Sequence, residues 1–317
     1  MSAVLTQLRG LMLVTLLVAA ASPVWAQDHY PGVELIGAEL AGESFDGASL
    51  QGANFSGADL SGASLKGADL REAYFRNTDL TGADLTGANL GGADLSLAIL
   101  EGATLSGAML ARARLVLARL DGALLEGAFL GGANLTRAAL PNADLRKTLL
   151  QGARLDQADL SGADLSGARL GARRTGQDGP LPASMRGAKL EGATADGADL
   201  NSVDLSEARL AGGSFKGTNL ADANLSWSES AGADFSDAVM TLARLRAADL
   251  TDAVFKGATM DLVRAAGARL EGVDLTNTSL VGADITLARL AGAQMDGADL
   301  SDAHSGGASG LPEAEGD

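Results

Sequence analysis

The sequence contains no cysteine, which removes disulfide bridges, thiol nucleophiles and thiolate metal ligands from any account of it. Its only histidines are His29 and His304, both outside the core of the chain, so a metal centre or a nucleophile–base pair lacks its usual parts. Aromatic residues are 3% of the 317 positions, too few to anchor a large mixed core, although 46% of residues are apolar. A core built from Ala and Leu favours one small packing unit used many times. Basic residues are also in deficit, 24 against 40 acids, a net charge of −16. Such a chain repels nucleic-acid phosphates and anionic lipid headgroups.

Residues 1–26 differ from all that follow. Met1 to Arg9 is a short start with one Arg, Gly10 to Ala21 (GLMLVTLLVAAA) is apolar, and Val24-Trp25-Ala26 has the form of a cleavage site, so a signal peptide is expected. The apolar run falls short of the ~20 residues that span a bilayer, and no Cys follows for lipid attachment. Export to the periplasm or beyond is expected, with no stable membrane insertion afterwards. Cleavage would remove Arg9 and no acid, leaving 23 − 40 = −17.

From Val33 onward the sequence is periodic in fives. Taking the usually large apolar residue as the centre of each unit, centres fall at 35, 40, 45 and so on to 170, then at 185 to 300, which makes 28 units and then 24. In the first block the centre is Leu in 25 units and Phe in three (Phe45, Phe55, Phe75), and Ala stands two before it in 24. A period of five matches neither the 3.6 of an α-helix nor the 2 of a flat strand, so the chain must turn once per unit.

The units Ala58-Asp59-Leu60, Ala83-Asp84-Leu85, Ala88-Asn89-Leu90 and Ala198-Asp199-Leu200 resemble the A-(D/N)-L-x-x consensus of the pentapeptide-repeat family. The resemblance implies an all-β solenoid, a right-handed quadrilateral β-helix in which four units make one square coil with the centre and the preceding Ala pointing inward. It implies about 13 coils, some 60 Å at a spacing of ~4.8 Å. A 20-residue coil predicts ring columns at Phe55/Phe75 and Phe215/Phe235/Phe255, with Ala195 where the second column ends.

The expected organisation is a signal peptide (1–26), a short cap segment (27–32), a first repeat block (33–172), a loop (173–182), a second block (183–304) and a disordered acidic tail (305–317). The loop either bulges from a corner or replaces two walls and rotates the second block. Its Arg173 and Arg174 are candidate contacts, as loops often carry function. In Ser226-Trp227-Ser228-Glu229-Ser230, Ser takes both inward positions, so the segment either bulges or bonds its hydroxyls to backbone, with Trp227 exposed or covering the gap.

Ser and Asp fall in outward ladders with no apolar cleft to perturb them, so no catalytic, metal or cofactor site is expected. Outward apolar residues are more informative. Met109, Phe129 and Leu149 are spaced by 20, as are Leu97 and Leu117, with Ile99, Val116 and Leu124 nearby. These predict one contiguous patch that binds a protein partner or a second copy. Arg112, Arg114 and Arg119 border it, while Arg244/Arg264 and Arg269/Arg289 are expected to pair with acidic ladders. The leading reading is a non-catalytic exported scaffold that binds through this wall. The family resemblance supplies a rival, a DNA-mimicking protein that protects DNA gyrase, and a purely structural envelope component is the third.

Overall fold

The computed structural model describes residues 30–172 and 181–311. These fall into two compact units, unit 1 within Met1–Ala139 and unit 2 within Leu140–Asp317.

One five-residue unit explains the rest. Ala58 and Leu60 are buried, Asp59 between them faces outward and bridges Asp79 in parallel, and Ser61-Gly62 turn the chain. Leu60 N–H donates to the Asp79 carbonyl (2.7 Å), and Gly62 N–H to that of Thr81 (2.8 Å). Asp59 N–H reaches back to Ala38 (2.9 Å), and Ala63 N–H closes the turn on Leu60 (3.0 Å). The fifth donor, Ser61 N–H, is taken by the Asp59 carboxylate (2.9 Å). Every backbone donor of the unit is therefore satisfied, as a closely packed chain requires. The consensus follows: small and large apolar residues fill the lumen, and Asp or Asn serves the one donor that neighbouring coils leave over.

In both units bridged residues are 20 apart, except across the ten-residue insertion of unit 2, which gives four walls per coil. In unit 1 the outward residues form ladders beginning Glu34–Asn54, Glu39–Asp59, Ser44–Ser64 and Ser49–Asp69, taken here as walls one to four. Inside, Phe55 and Phe75 stack with centroids 5.0 Å apart and planes 7° off parallel, and Phe45 meets Phe55 edge-on. Unit 2 contains the three-ring column Phe215, Phe235 and Phe255, at 5.2 Å steps. Where Thr replaces the inward Ala, its hydroxyl finds a carbonyl: Thr78 donates to Phe55 and Thr278 to Phe255, both at 2.7 Å.

The second turn residue of each unit takes a left-handed backbone conformation. Glycine does so without strain, Gly57 at φ +67° for example, whereas Leu97 at +63° and Leu117 at +59° do so at a cost of ~1–2 kcal/mol each.

Residues 173–180 lie outside the described residues, yet the register around them is fixed within unit 2. Ala183 N–H closes the turn on Leu170 (2.8 Å) just as Ala168 N–H does on Leu165 (2.9 Å). Arg154 bridges Ser184 and Asp159 bridges Lys189, pairs 30 rather than 20 apart. The ten extra residues thus enter at one corner, and the walls continue unrotated.

Three local expectations change. The coil pattern starts at Tyr30, whose N–H donates to Ser49 (2.9 Å), within the segment expected to be a cap. It also runs past residue 304: Leu290 N–H donates to Ser309 (2.7 Å) and Ser309 N–H to Ala288 (3.0 Å). Backbone pairing with the preceding coil holds Ser305 to Ser309 although the unit has no large centre, while 312–317 lie outside the described residues. Finally, Ser226 to Ser230 neither bulge nor bond their inward hydroxyls to backbone. Trp227 and Ser230 keep their places in the ladder, with N–H donated to Arg246 and Asp249, and Ser228 and Ser230 bond each other at 3.0 Å.

Candidate interaction surface

An outward carboxylate or amide before the central residue is mostly a backbone cap. Asp84, Asn134, Asp159, Asp234 and Asp249 each accept from the N–H two residues on, and from the Ser or Thr hydroxyl there. These bonds lower the pKa of Asp59, Asp274 and Asp299, the Ser or Thr side chain at the capped position acting most strongly. At Asp144 the largest influence is the Arg146 guanidinium. At Asp84, Asp159 and Asp234 burial opposes the shift, but the hydroxyl, the capped N–H and a lysine together prevail.

The rule lapses at scattered units and over one long run. From Ile99 to Phe129 seven successive units of unit 1 carry Ile99, Thr104, Met109, Arg114, Arg119, Leu124 and Phe129 at the capping position, none of them Asp or Asn. Met109 bridges Phe129 on the fourth wall and Leu124 stands on the adjoining third wall; the three are 40–45% exposed. The Phe129 ring folds over Gly131, where an added Cβ would lie 2.8 Å from Cζ. Gly131 therefore provides the space in which the ring lies.

The single patch expected from the sequence is two patches. Leu97, Leu117 and Val116 occupy the corner between the first and second walls, with Ile99 on the second, and Leu97 N–H donates to Val116 (3.0 Å). In a four-walled coil that corner lies diagonally opposite the one joining Leu124 to Phe129. Twenty residues of sequence visit all four walls, so nearness in sequence does not give nearness on the surface. Leu149 belongs to unit 2, where it is half-buried and bridges Arg169. Arg173 and Arg174 lie outside the described residues. Trp227 is 55% exposed at a left-handed corner (φ +59°) with Arg246 over its ring at 6.0 Å.

Of the basic residues, Arg119 pairs with Glu101, Arg114 lies 4.0 Å from Asp94, and Arg112 occupies a corner at φ +58°. Arg269 pairs with Asp249 (2.8 Å), and Arg289 is 3.9 Å from Glu271. The same pairing was expected of Arg244 and Arg264, but they bridge each other and form no ion pair among the described residues. The sequence showed the arginine spacing without showing which acids already serve as backbone caps.

A family model described as pentapeptide repeats matches residues 32–171, 183–257 and 266–304. No curated protein matches the chain. Among solved structures, the chain is similar to HetL, a pentapeptide repeat protein involved in heterocyst differentiation regulation in the cyanobacterium Nostoc sp., at 26% identity over 94% of this chain and 97% of that one, with a TM-score of 0.23. It is similar to QnrB1, a plasmid-mediated fluoroquinolone resistance protein, at 18% identity over 57% of this chain and 90% of that one, with a TM-score of 0.30. Rfr23 from the cyanobacterium Cyanothece is 22% identical over 49% of this chain and 85% of that one, with a TM-score of 0.22.

Proposed function

Because this chain belongs to the pentapeptide-repeat family, whose members form right-handed quadrilateral β-helices and are generally structural or interaction proteins rather than enzymes, we propose that it is an exported scaffold that binds a partner protein. The contact wall is Met109, Phe129 and Leu124. One observation carries this: seven successive units give up the side chain that caps their own turn, and three of them place exposed apolar groups on adjoining walls. Export rests on the character of residues 1–26.

The test is Phe129→Asp. Aspartate is the residue that this fold places at the position elsewhere, so the variant should fold normally and gain a cap for Gly131 N–H. Sedimentation and affinity capture from the periplasmic fraction should show a species lost in the variant. Unchanged self-association and unchanged partner recovery would overturn the assignment. A second reading, a DNA mimic acting on gyrase, draws on the net charge of −16. Fractionation separates the two, since a chain that stays in the cytoplasm with residues 1–26 attached would favour the mimic.

A further inference from the structure

Unit 2 carries a cationic wall in an otherwise acidic chain. Arg244 and Arg264 are bridged on successive coils, and Arg246 stands at the adjoining corner over the Trp227 ring. All three are exposed, and among the described residues none forms an ion pair. Four other cations of the unit are paired: Arg186 with Glu207 (2.6 Å), Lys189 with Asp159 (3.0 Å), Arg209 with Glu191 (2.7 Å) and Lys216 with Asp234 (3.1 Å). Asp284, one coil beyond Arg264, accepts from Thr286 N–H (3.1 Å); its pKa is lowered mainly by Thr286 and only last by the Arg264 charge, with which it forms no ion pair. Two guanidinium groups on adjacent coils repel each other, an arrangement that an anion from outside would relieve.

The wall is flanked by apolar corners. On one side Leu242 and Leu262, 37% and 51% exposed, sit in left-handed positions at φ +63° and +55° and line a groove with Arg264, Asp284 and His304. Leu262 lies over Gly282, where a Cβ would meet it at 2.8 Å. On the other side stands Trp227. A ligand for this wall therefore needs a small number of negative charges between apolar groups.

We propose that this wall binds an acidic, leucine-bearing segment of a partner protein in extended form. Side chains on one face of an extended peptide recur every second residue, about 6.6 Å apart. A run crossing the wall sets leucine on Leu242 and Leu262, the next same-face glutamate on Arg244 and Arg264, and a second on Arg246 beside Trp227. Charge complementarity favours a short acidic peptide over a membrane or a nucleic acid. Three cations attract a peptide with two or three carboxylates, whereas a polyanion also meets the chain's net charge of −16.

The experiment measures fluorescence anisotropy of a labelled peptide, Leu-Ser-Glu-Ser-Glu-Ser-Leu, with the whole chain at low ionic strength. Arg244→Gln/Arg264→Gln should weaken binding at least ten-fold, and Arg269→Gln/Arg289→Gln on the next wall should leave it unchanged, with circular dichroism verifying both folds. Equal affinity of the Arg244→Gln/Arg264→Gln variant and the parent would overturn the proposal. So would equal binding of the peptide with Gln in place of Glu. Binding of phosphatidylglycerol vesicles or polyphosphate, without binding of the peptide, would overturn it in favour of a different ligand class.

Discussion

Ser228 Oγ and Ser230 Oγ lie 3.0 Å apart in the lumen of unit 2, each the other's hydrogen-bond partner, at positions where the repeat otherwise places Ala and Leu. Two buried hydroxyls satisfied by each other cost little, whereas one left alone carries its full desolvation penalty. Ser228→Ala should therefore destabilise unit 2 by about 1–2 kcal/mol. The double change Ser228→Ala/Ser230→Leu restores the repeat between Leu210 and Leu250 and should stabilise by about 2 kcal/mol through added apolar burial. Urea midpoints of the single and double variants would check both signs.

The capping aspartates predict acid sensitivity. Asp274 has its pKa lowered by the Thr276 side chain and by Thr276 N–H, at 2.9 Å, and Asp144 by Arg146. A folded pKa below the unfolded one, ~3.9 for Asp, means that the native state favours the ionised form. Its contribution is fully present above the unfolded pKa and is lost as pH falls through the folded one. Urea midpoints should hold from pH 7 to about 5 and drop below about 4. Replacing Asp144, Asp159, Asp234 and Asp274 together by Asn, which keeps the accepting oxygen, should flatten that drop.

The sequence carried the coil almost whole. Period five, the 20-residue recurrence of Phe55/Phe75 and Phe215/Phe235/Phe255, and the inward Ala are consequences of a lumen one side chain wide, and each is visible in the residue order. What it carried poorly was adjacency on the outside. Leu117 and Leu124 are near in sequence yet belong to opposite corners, because five residues exchange one wall for the next. The insertion was undecidable for a related reason: ten residues are two whole units, and it takes pairings such as the Arg154–Ser184 bridge to distinguish an added corner from replaced walls. The mutual bond of Ser228 and Ser230 was illegible because it depends on rotamers rather than on pattern.

Corner leucines separate fold from function. Leu117 holds φ +59° while 46% exposed. Leu117→Gly removes about 1–2 kcal/mol of left-handed strain and adds about 0.5–1 kcal/mol of unfolded-state entropy. The net expectation is unchanged or slightly increased stability, against the usual loss on removing a leucine. A thermal midpoint lowered by several degrees would show instead that Leu117 packs for the fold.

Exchange of caps provides the converse comparison. Asp144 accepts from Arg146 N–H at 3.1 Å and pairs with the Arg146 guanidinium at 2.6 Å. Asp144→Ala removes both interactions and should cost about 1 kcal/mol. Met109 occupies the equivalent place in its own unit but has no oxygen to offer Ala111 N–H, and its side chain is 44% exposed, so little burial is lost with it. Met109→Asp should leave stability unchanged or raise it by up to about 1 kcal/mol while weakening any partner held by the Phe129 wall. If Met109→Asp were as destabilising as Asp144→Ala, the apolar side chains at Met109, Leu124 and Phe129 would be serving the coil itself, and their claim to be a contact surface would fail.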